Sequence, residues 1–286
     1  MLKLQPPSHS KTRSKAPSPF RFAGALQIAL AFSALLFFPS IIHAQQPFYT
    51  DDADVTEKRK FHLQISNEFD VLQRFNYPSR YQNTAVFELD YGLLKDVEIG
   101  VDYPLIGIGN SRIITPRTVW GFGDVDLHIK YNFLKEREGS WHPALTATFN
   151  AEIPTGDDAR GLGSGFHDYF LNGIAQKSLT KNTKLRLNGG ILFAGSTATG
   201  DIGIKTRGHV FVAGASIVKQ FTSKLDLGAE ITGAASTRLQ LSHGQLQTLV
   251  GGNYLITPKM SFDFGLVAGK YNSPRAGLQV GISIDF

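Results

Sequence analysis

The sequence predicts an all-β fold, a transmembrane antiparallel up-and-down β-barrel of about 12 strands preceded by a signal peptide. Three observations lead there. Segments in which apolar and polar side chains alternate recur along most of the 286 residues. Such alternation gives a strand one apolar and one wet face. Beyond residue 44 no apolar run reaches the length of a transmembrane helix. The mean hydropathy is slightly below neutral, as a barrel requires, because only every second residue meets lipid.

The elements follow in chain order. Lys3, Lys11, Arg13, Lys15 and Arg21 precede an uncharged apolar run, Phe22 to Phe38, which Pro39 ends. Ala44 then offers a small residue at a cleavage position before Gln45. This is the layout of a secretory signal peptide over residues 1–44. The alternative, an uncleaved anchor, is disfavoured by the shortness of the run. Residues 45–59 are polar and acidic, with Asp51, Asp52, Asp54 and Glu57, and read as a loop or a short lumenal segment. Residues 60–286 are the expected barrel.

The strands recur with turn residues between them. Phe61, Leu63 and Ile65 alternate with His62, Gln64 and Ser66. Phe87, Leu89 and Tyr91 alternate with Glu88 and Asp90. After a tight turn at 92–96, Val97, Ile99, Val101 and Tyr103 alternate with Glu98, Gly100 and Asp102. The clearest strand is 124–133. Val125, Leu127, Ile129, Tyr131 and Phe133 share one face, and Asp124, Asp126, His128, Lys130 and Asn132 share the other. Its partner runs from Leu145 to Ile153, with Glu152 on the polar side. Further strands are expected near 168–178, 184–193, 208–219, 225–234, 245–256, 260–269 and 276–286. The alternation is poor in 168–178, 208–219 and 245–256, which leaves their facing open. The longer connections, near 104–122, 154–167, 194–207 and 270–275, would lie outside the cell, and the short Lys-bearing turns in the periplasm.

Energy decides which face meets lipid. Turning the 124–133 strand over would put Asp124, Asp126 and Lys130 into hydrocarbon, at a cost of roughly 2–4 kcal/mol for a basic residue at the midplane. The apolar face therefore points outward, and Tyr91, Tyr103, Tyr131, Phe133, Phe193, Tyr254 and Phe286 near strand ends suit interfacial girdles. A soluble β-sandwich or a small lipid-binding barrel would also alternate. Neither accounts for so many matched strands of about ten residues.

Charge and composition exclude several function classes. The whole chain has 29 Lys+Arg and 24 Asp+Glu. The signal segment holds five of the basic residues and no acid, so the remainder carries 24 of each. No basic strip interleaved with aromatics suggests nucleic acid as a partner. The chain has no cysteine, which rules out disulfides and thiolate chemistry. No cofactor motif is visible.

The last strand, Leu278 to Phe286, alternates strictly and stops on an aromatic residue. It resembles the C-terminal assembly signal of bacterial outer-membrane barrels, which implies the barrel-assembly machinery and outer-membrane lipid as partners. A wider set of residues is similar to the bacterial outer-membrane transporter family named for the meta-pathway of phenol degradation. These are Tyr91-Gly92-Leu93 followed by Val97 to Val101, Gly121-Phe122-Gly123-Asp124-Val125 running into Lys130-Tyr131, Pro154-Thr155-Gly156-Asp157, and Gly163-Ser164-Gly165. Together they span about half of the chain beyond the signal. The resemblance implies a barrel and passage of aromatic or other poorly soluble small-molecule solutes.

The expected lumen lining is Glu88, Asp90, Glu98, Asp102, Asp124, Asp126, His128, Lys130 and Glu152. These residues could form a charge-mixed path that filters solutes, or paired charges that brace adjacent strands. Pro154, Thr155, Gly156, Asp157 and Asp168 belong to a loop that is a candidate constriction. Its spacing matches no regular calcium loop, and a plain turn is the expectation. An outer-membrane lipid-modifying enzyme would need a serine beside a histidine base. His167, His209 and His243 lie near Ser164, Thr206 and Ser242, but no nucleophile motif frames them. The reading is a passive transporter or channel in the bacterial outer membrane. The alternative from another class is a structural or adhesive barrel with a closed lumen that acts through its loops.

Overall fold

The structure is a computed structural model that describes residues 47–74, 79–111, 116–137, 139–194, 208–236 and 244–286. The expected signal peptide, 1–44, lies outside the described residues, as do the 195–207 connection and Thr206, Ser242 and His243. Thirteen strands form one antiparallel sheet: β1 (Phe61–Val71), β2 (Tyr81–Leu94), β3 (Val97–Gly109), β4 (Val119–Phe122), β5 (Val125–Leu134), β6 (Ala144–Ile153), β7 (Asp168–Thr180), β8 (Thr183–Ala194), β9 (Gly208–Gln220), β10 (Leu225–Ser236), β11 (Gln245–Thr257), β12 (Met260–Tyr271) and β13 (Ala276–Asp285).

Strands β4 and β5 both pair with β3 and are parted only by Gly123-Asp124. They make one interrupted stave, so the barrel has twelve. The break falls opposite Pro104, whose carbonyl accepts from Gly123 N at 2.8 Å and which has no N–H to extend the ladder. The sheet closes where β1 meets β13, with Leu63 opposite Ile284 and Phe69 opposite Leu278. Phe61 and Phe286 exchange both backbone hydrogen bonds across this seam, at 2.8 and 3.0 Å. Closure leaves only the short β4 with an unpaired side among the described residues.

Among the described residues the bulges fall at one end, at Gly92/Leu94, Asn132/Leu134, Ser178/Thr180 and Leu255/Thr257. That end carries the short turns and the longer 135–143 connection. The other end carries the long connections. One expected connection is shorter than the sequence suggests: Leu105–Ile108 pair with Val119–Phe122, so the loop spans about 110–118 instead of 104–122.

The barrel is apolar outside. Leu127, Ile129, Tyr131 and Phe133 of β5 are exposed, and Lys130 and Asn132 between them are buried. In β13, Leu278, Val280 and Ile282 face out, while Gln279, Gly281 and Ser283 face in. The three strands whose facing the sequence left open are resolved: β7 turns Asp168, Ile174 and Gln176 inward and Tyr169 and Leu171 outward. β9 turns Val210, Val212, Gly214, Ser216 and Val218 inward, and β11 turns Leu249 and Gly251 inward. Their alternation is weak because part of the inner wall is itself apolar.

Candidate functional site

The interior is occupied. Residues 47–57 run inside the barrel, where the sequence left open a loop or a lumenal segment. Polar staves hold this segment at each step. Glu230 accepts from Tyr49 N at 3.1 Å and from Thr50 N at 2.5 Å. Thr50 Oγ1 donates to Ser216 Oγ at 2.6 Å. Lys130 Nζ reaches Asp51 at 2.8 Å and Asp52 at 3.7 Å. Arg186 Nη2 donates to Asp52 at 3.2 Å. The Ala53 carbonyl accepts from Asn132 and Thr146, at 2.6 and 2.7 Å. Thr56 N donates to Glu98 at 2.5 Å. Buried charges persist only when paired and hydrogen-bonded, and here the partners come from β3, β5, β6, β8, β9 and β10.

Apolar contacts add anchors. Phe48 packs with Val218, Leu249 and Val267, and Ala53 with Ala144 and Ile174. Burial of a phenyl ring of this kind stabilises by about 2–3 kcal/mol. Small residues in the wall make the room. A Cβ at Gly228 would stand 2.7 Å from Phe48, and one at Gly214 would stand 2.6 Å from Thr50. At the turn end the segment leaves along β2. Gly92 there touches the Glu57 carbonyl so closely that a Cβ would lie 2.1 Å from it.

Above this plug, toward the loop end, lies a cavity of about 460 Å³ with Tyr49 and Thr50 in its floor. Its two sides differ. Asp124, Asp126, Glu152 and Asp168 line one, and Leu192, Val212, Gly214 and Ala234 line the other. A second cavity of about 280 Å³ lies on the turn side of the plug, among Asp52, Asp54, Lys184, Arg186 and Asp226.

The loop after β6 also enters the mouth. Leu162 is buried against Ile106, Ile108 and Val119 on the inner wall. Asp124 clamps the loop by accepting from Gly156 N at 2.8 Å and Ser164 N at 2.5 Å. Thr155 Oγ1 bridges Val125 N and the Gly123 carbonyl, both at 3.1 Å. Asp157 accepts from Arg160 N and caps a short 3-10 turn, and Gly161 follows at φ 73°, a conformation that suits glycine. Pro154 leads into the loop, and Asp168 at its far end is buried beside the cavity.

The sequence-nominated residues fall into three groups. Asp124, Asp126 and Glu152 face the outer cavity. Lys130 and Glu98 are buried against the plug. Glu88, Asp90, Asp102 and Asp126 gather around His128. Sequence reasoning missed Arg186, Glu230, Asn132 and Thr146 as plug contacts. The signal was present for Arg186, which alternates with Leu185 and Leu187 on a polar face. The Ser164 hydroxyl is engaged by the Phe166 backbone, at 2.9 and 3.0 Å, and His209 packs edge-on against Phe193.

Burial raises the pKa of Asp51 in the plug above its ordinary value, with Asp52 adding to the rise while Lys130 and Arg186 oppose it. Burial likewise pushes the Tyr49 hydroxyl well above its ordinary value, with Glu68 adding to the shift.

No protein-family model matches this chain, and no curated protein matches it in sequence. Solved structures do match. An outer membrane channel from Pseudomonas putida F1 aligns with a TM-score of 0.60 at 14% identity, covering 84% of this chain and 99% of that one. The KdgM porin in complex with disordered oligogalacturonate aligns at 0.52 and 9%, covering 79% and 99%. The NanC porin aligns at 0.52 and 10%, covering 78% and 98%. The fold is a porin-like barrel. The likeness spans nearly the full length of each of those chains.

Proposed function

We propose that this protein is a passive outer-membrane channel for small, partly apolar molecules, aromatic ones among them, and that residues 47–57 are its docked plug. One observation carries the reading: the two-sided cavity directly above the plug. A space of about 460 Å³ lies within the range of small-molecule pockets. Its apolar side suits a ring or a short chain, and its carboxylate side suits a hydroxyl or an amine. The apolar outer belt supports a bilayer location. Porin-like neighbours support the outer membrane, with the short turns in the periplasm. In this reading residues 1–44 direct export and are removed, 45–59 form the plug region, and 60–286 form the barrel, assembled by the barrel machinery through β13. The resemblance to the phenol meta-pathway family agrees with the solute class.

The purified barrel, reconstituted in liposomes, tests the proposal. Swelling with small phenolic and aliphatic solutes is expected, and it should rise on deletion of residues 45–56. A barrel that passes no solute in either form would refute the channel. That outcome would favour the second reading, a closed barrel acting through its external loops, which the density of plug contacts also supports.

A further inference from the structure

We propose that the inner wall formed by β2, β3 and β5 holds a binding site for one divalent transition-metal ion of the zinc class, ligated by Glu88, Asp90 and His128. The site is independent of the channel reading.

The sheet register builds it. Asp90, Gly100 and His128 lie side by side across three staves, and Glu88, Asp102 and Asp126 form the next row on the same inner face. One donor atom from each of Glu88, Asp90 and His128 lies within 4.8 Å of the other two, and the same holds for Asp102, Asp126 and His128. Gly100 sits between Asp90 and His128 and contributes no side chain. A Cβ there would stand 2.0 Å from Asp90 Oδ1 and 2.3 Å from His128 Nε2. The glycine therefore leaves the room in which the imidazole and carboxylate converge.

A second observation points to a ligand. Asp90 is fully buried, and its Oδ2 finds no hydrogen-bond partner among the described residues. Its Oδ1 lies 3.0 Å from His128 Nε2. A buried carboxylate oxygen with nothing to accept from is the group a cation would satisfy. Lys130 is engaged by Asp51 and Asp52 of the plug, and His62, opposite Asp90 on β1, is engaged by Asp285 at 2.7 Å, which leaves the five-residue cluster with an excess of carboxylates. Asp102, 3.9 Å from His128 Nδ1, supplies the carboxylate behind the imidazole that typically orients a metal-bound histidine.

The donor set selects the metal. One imidazole nitrogen with carboxylate oxygens suits zinc and its neighbours, whereas calcium and magnesium take oxygen alone. A tetrahedral ion with bonds of about 2.1 Å holds its donors roughly 3.4 Å apart, so modest side-chain rotations close the present spacing. Asp126 borders both the cluster and the outer cavity, which gives the ion a path and room for a water as fourth ligand.

Titration calorimetry of the chelator-treated full barrel in detergent with Zn²⁺ tests this. One ion per barrel is expected. His128→Asn, Asp90→Asn and Gly100→Ala should each weaken binding by roughly tenfold or more, while Asp263→Asn, elsewhere on the inner wall, should leave it unchanged. Folding of every variant is checked by the gel-mobility shift of intact barrels. Co²⁺ should give visible bands that His128→Asn abolishes. No Zn²⁺ uptake by the wild-type barrel would overturn the site, as would uptake that persists in folded His128→Asn and Asp90→Asn. Equal affinity for Ca²⁺ would overturn the role of the imidazole.

Discussion

Arg186 on β8 donates to Asp52 of the plug at 3.2 Å, and both side chains are almost fully withdrawn from solvent. They lie 134 positions apart in the chain. Taking away Arg186 leaves Asp52 with only the longer 3.7 Å contact to Lys130, and a buried charge stripped of its main partner costs up to about 3–5 kcal/mol. Arg186→Met is therefore expected to expel the plug and raise single-channel conductance several-fold. Adding Asp52→Asn to it should return most of the closure. An unchanged conductance in Arg186→Met would show that this pair does not hold the plug.

Phe48 is the apolar anchor of the same segment. Phe48→Ala should weaken docking by about 2–3 kcal/mol while leaving the barrel folded. The absence of cysteine from the chain makes the readout clean. A Thr50→Cys reporter should react slowly with a small thiol reagent in the parent and many-fold faster when Phe48→Ala is added.

Acid should tighten the plug through Asp51. Its side chain is 29% open to the lumen, yet the surrounding barrel desolvates it and raises its pKa above the ordinary value of 3.8. A carboxyl whose pKa is raised on docking binds its proton more firmly when docked. Docking is therefore penalised by this group at neutral pH. The penalty is relieved as pH falls through the raised value and is gone below about 3.8. Conductance should fall on acidification, and Asp51→Asn should flatten that part of the response. A pH profile identical in Asp51→Asn and wild type would reject the assignment.

Leu162 pins the loop that enters the mouth. Leu162→Ala should cost about 2–4 kcal/mol locally and let the loop lift. Liposome swelling should then admit larger solutes, with no change in the unfolding midpoint of the barrel.

Ile129 is exposed on the outer face of β5, between His128 and Lys130, which point inward. Ile129→Arg should destabilise the barrel by about 2–4 kcal/mol when unfolded by urea from lipid vesicles. A cost near zero there would mean that no hydrocarbon surrounds this face.

The sequence by itself determined the strands, their number and, for most, their facing. These are local properties: the period of two in Val125–Leu134 or Ala276–Asp285 is written in neighbouring residues, and the expense of charge in lipid assigns the faces. Only the tertiary structure decided what fills the cylinder. Glu230 meets Thr50 across 180 positions, and no pattern within a strand announces that contact. The same cause hid the facing of β9 and β11, whose inner faces carry Val218 and Leu249 because Phe48 packs there. It also hid the meeting of Asp90 and His128 over Gly100, which exists only once the register of three staves brings them to either side of it.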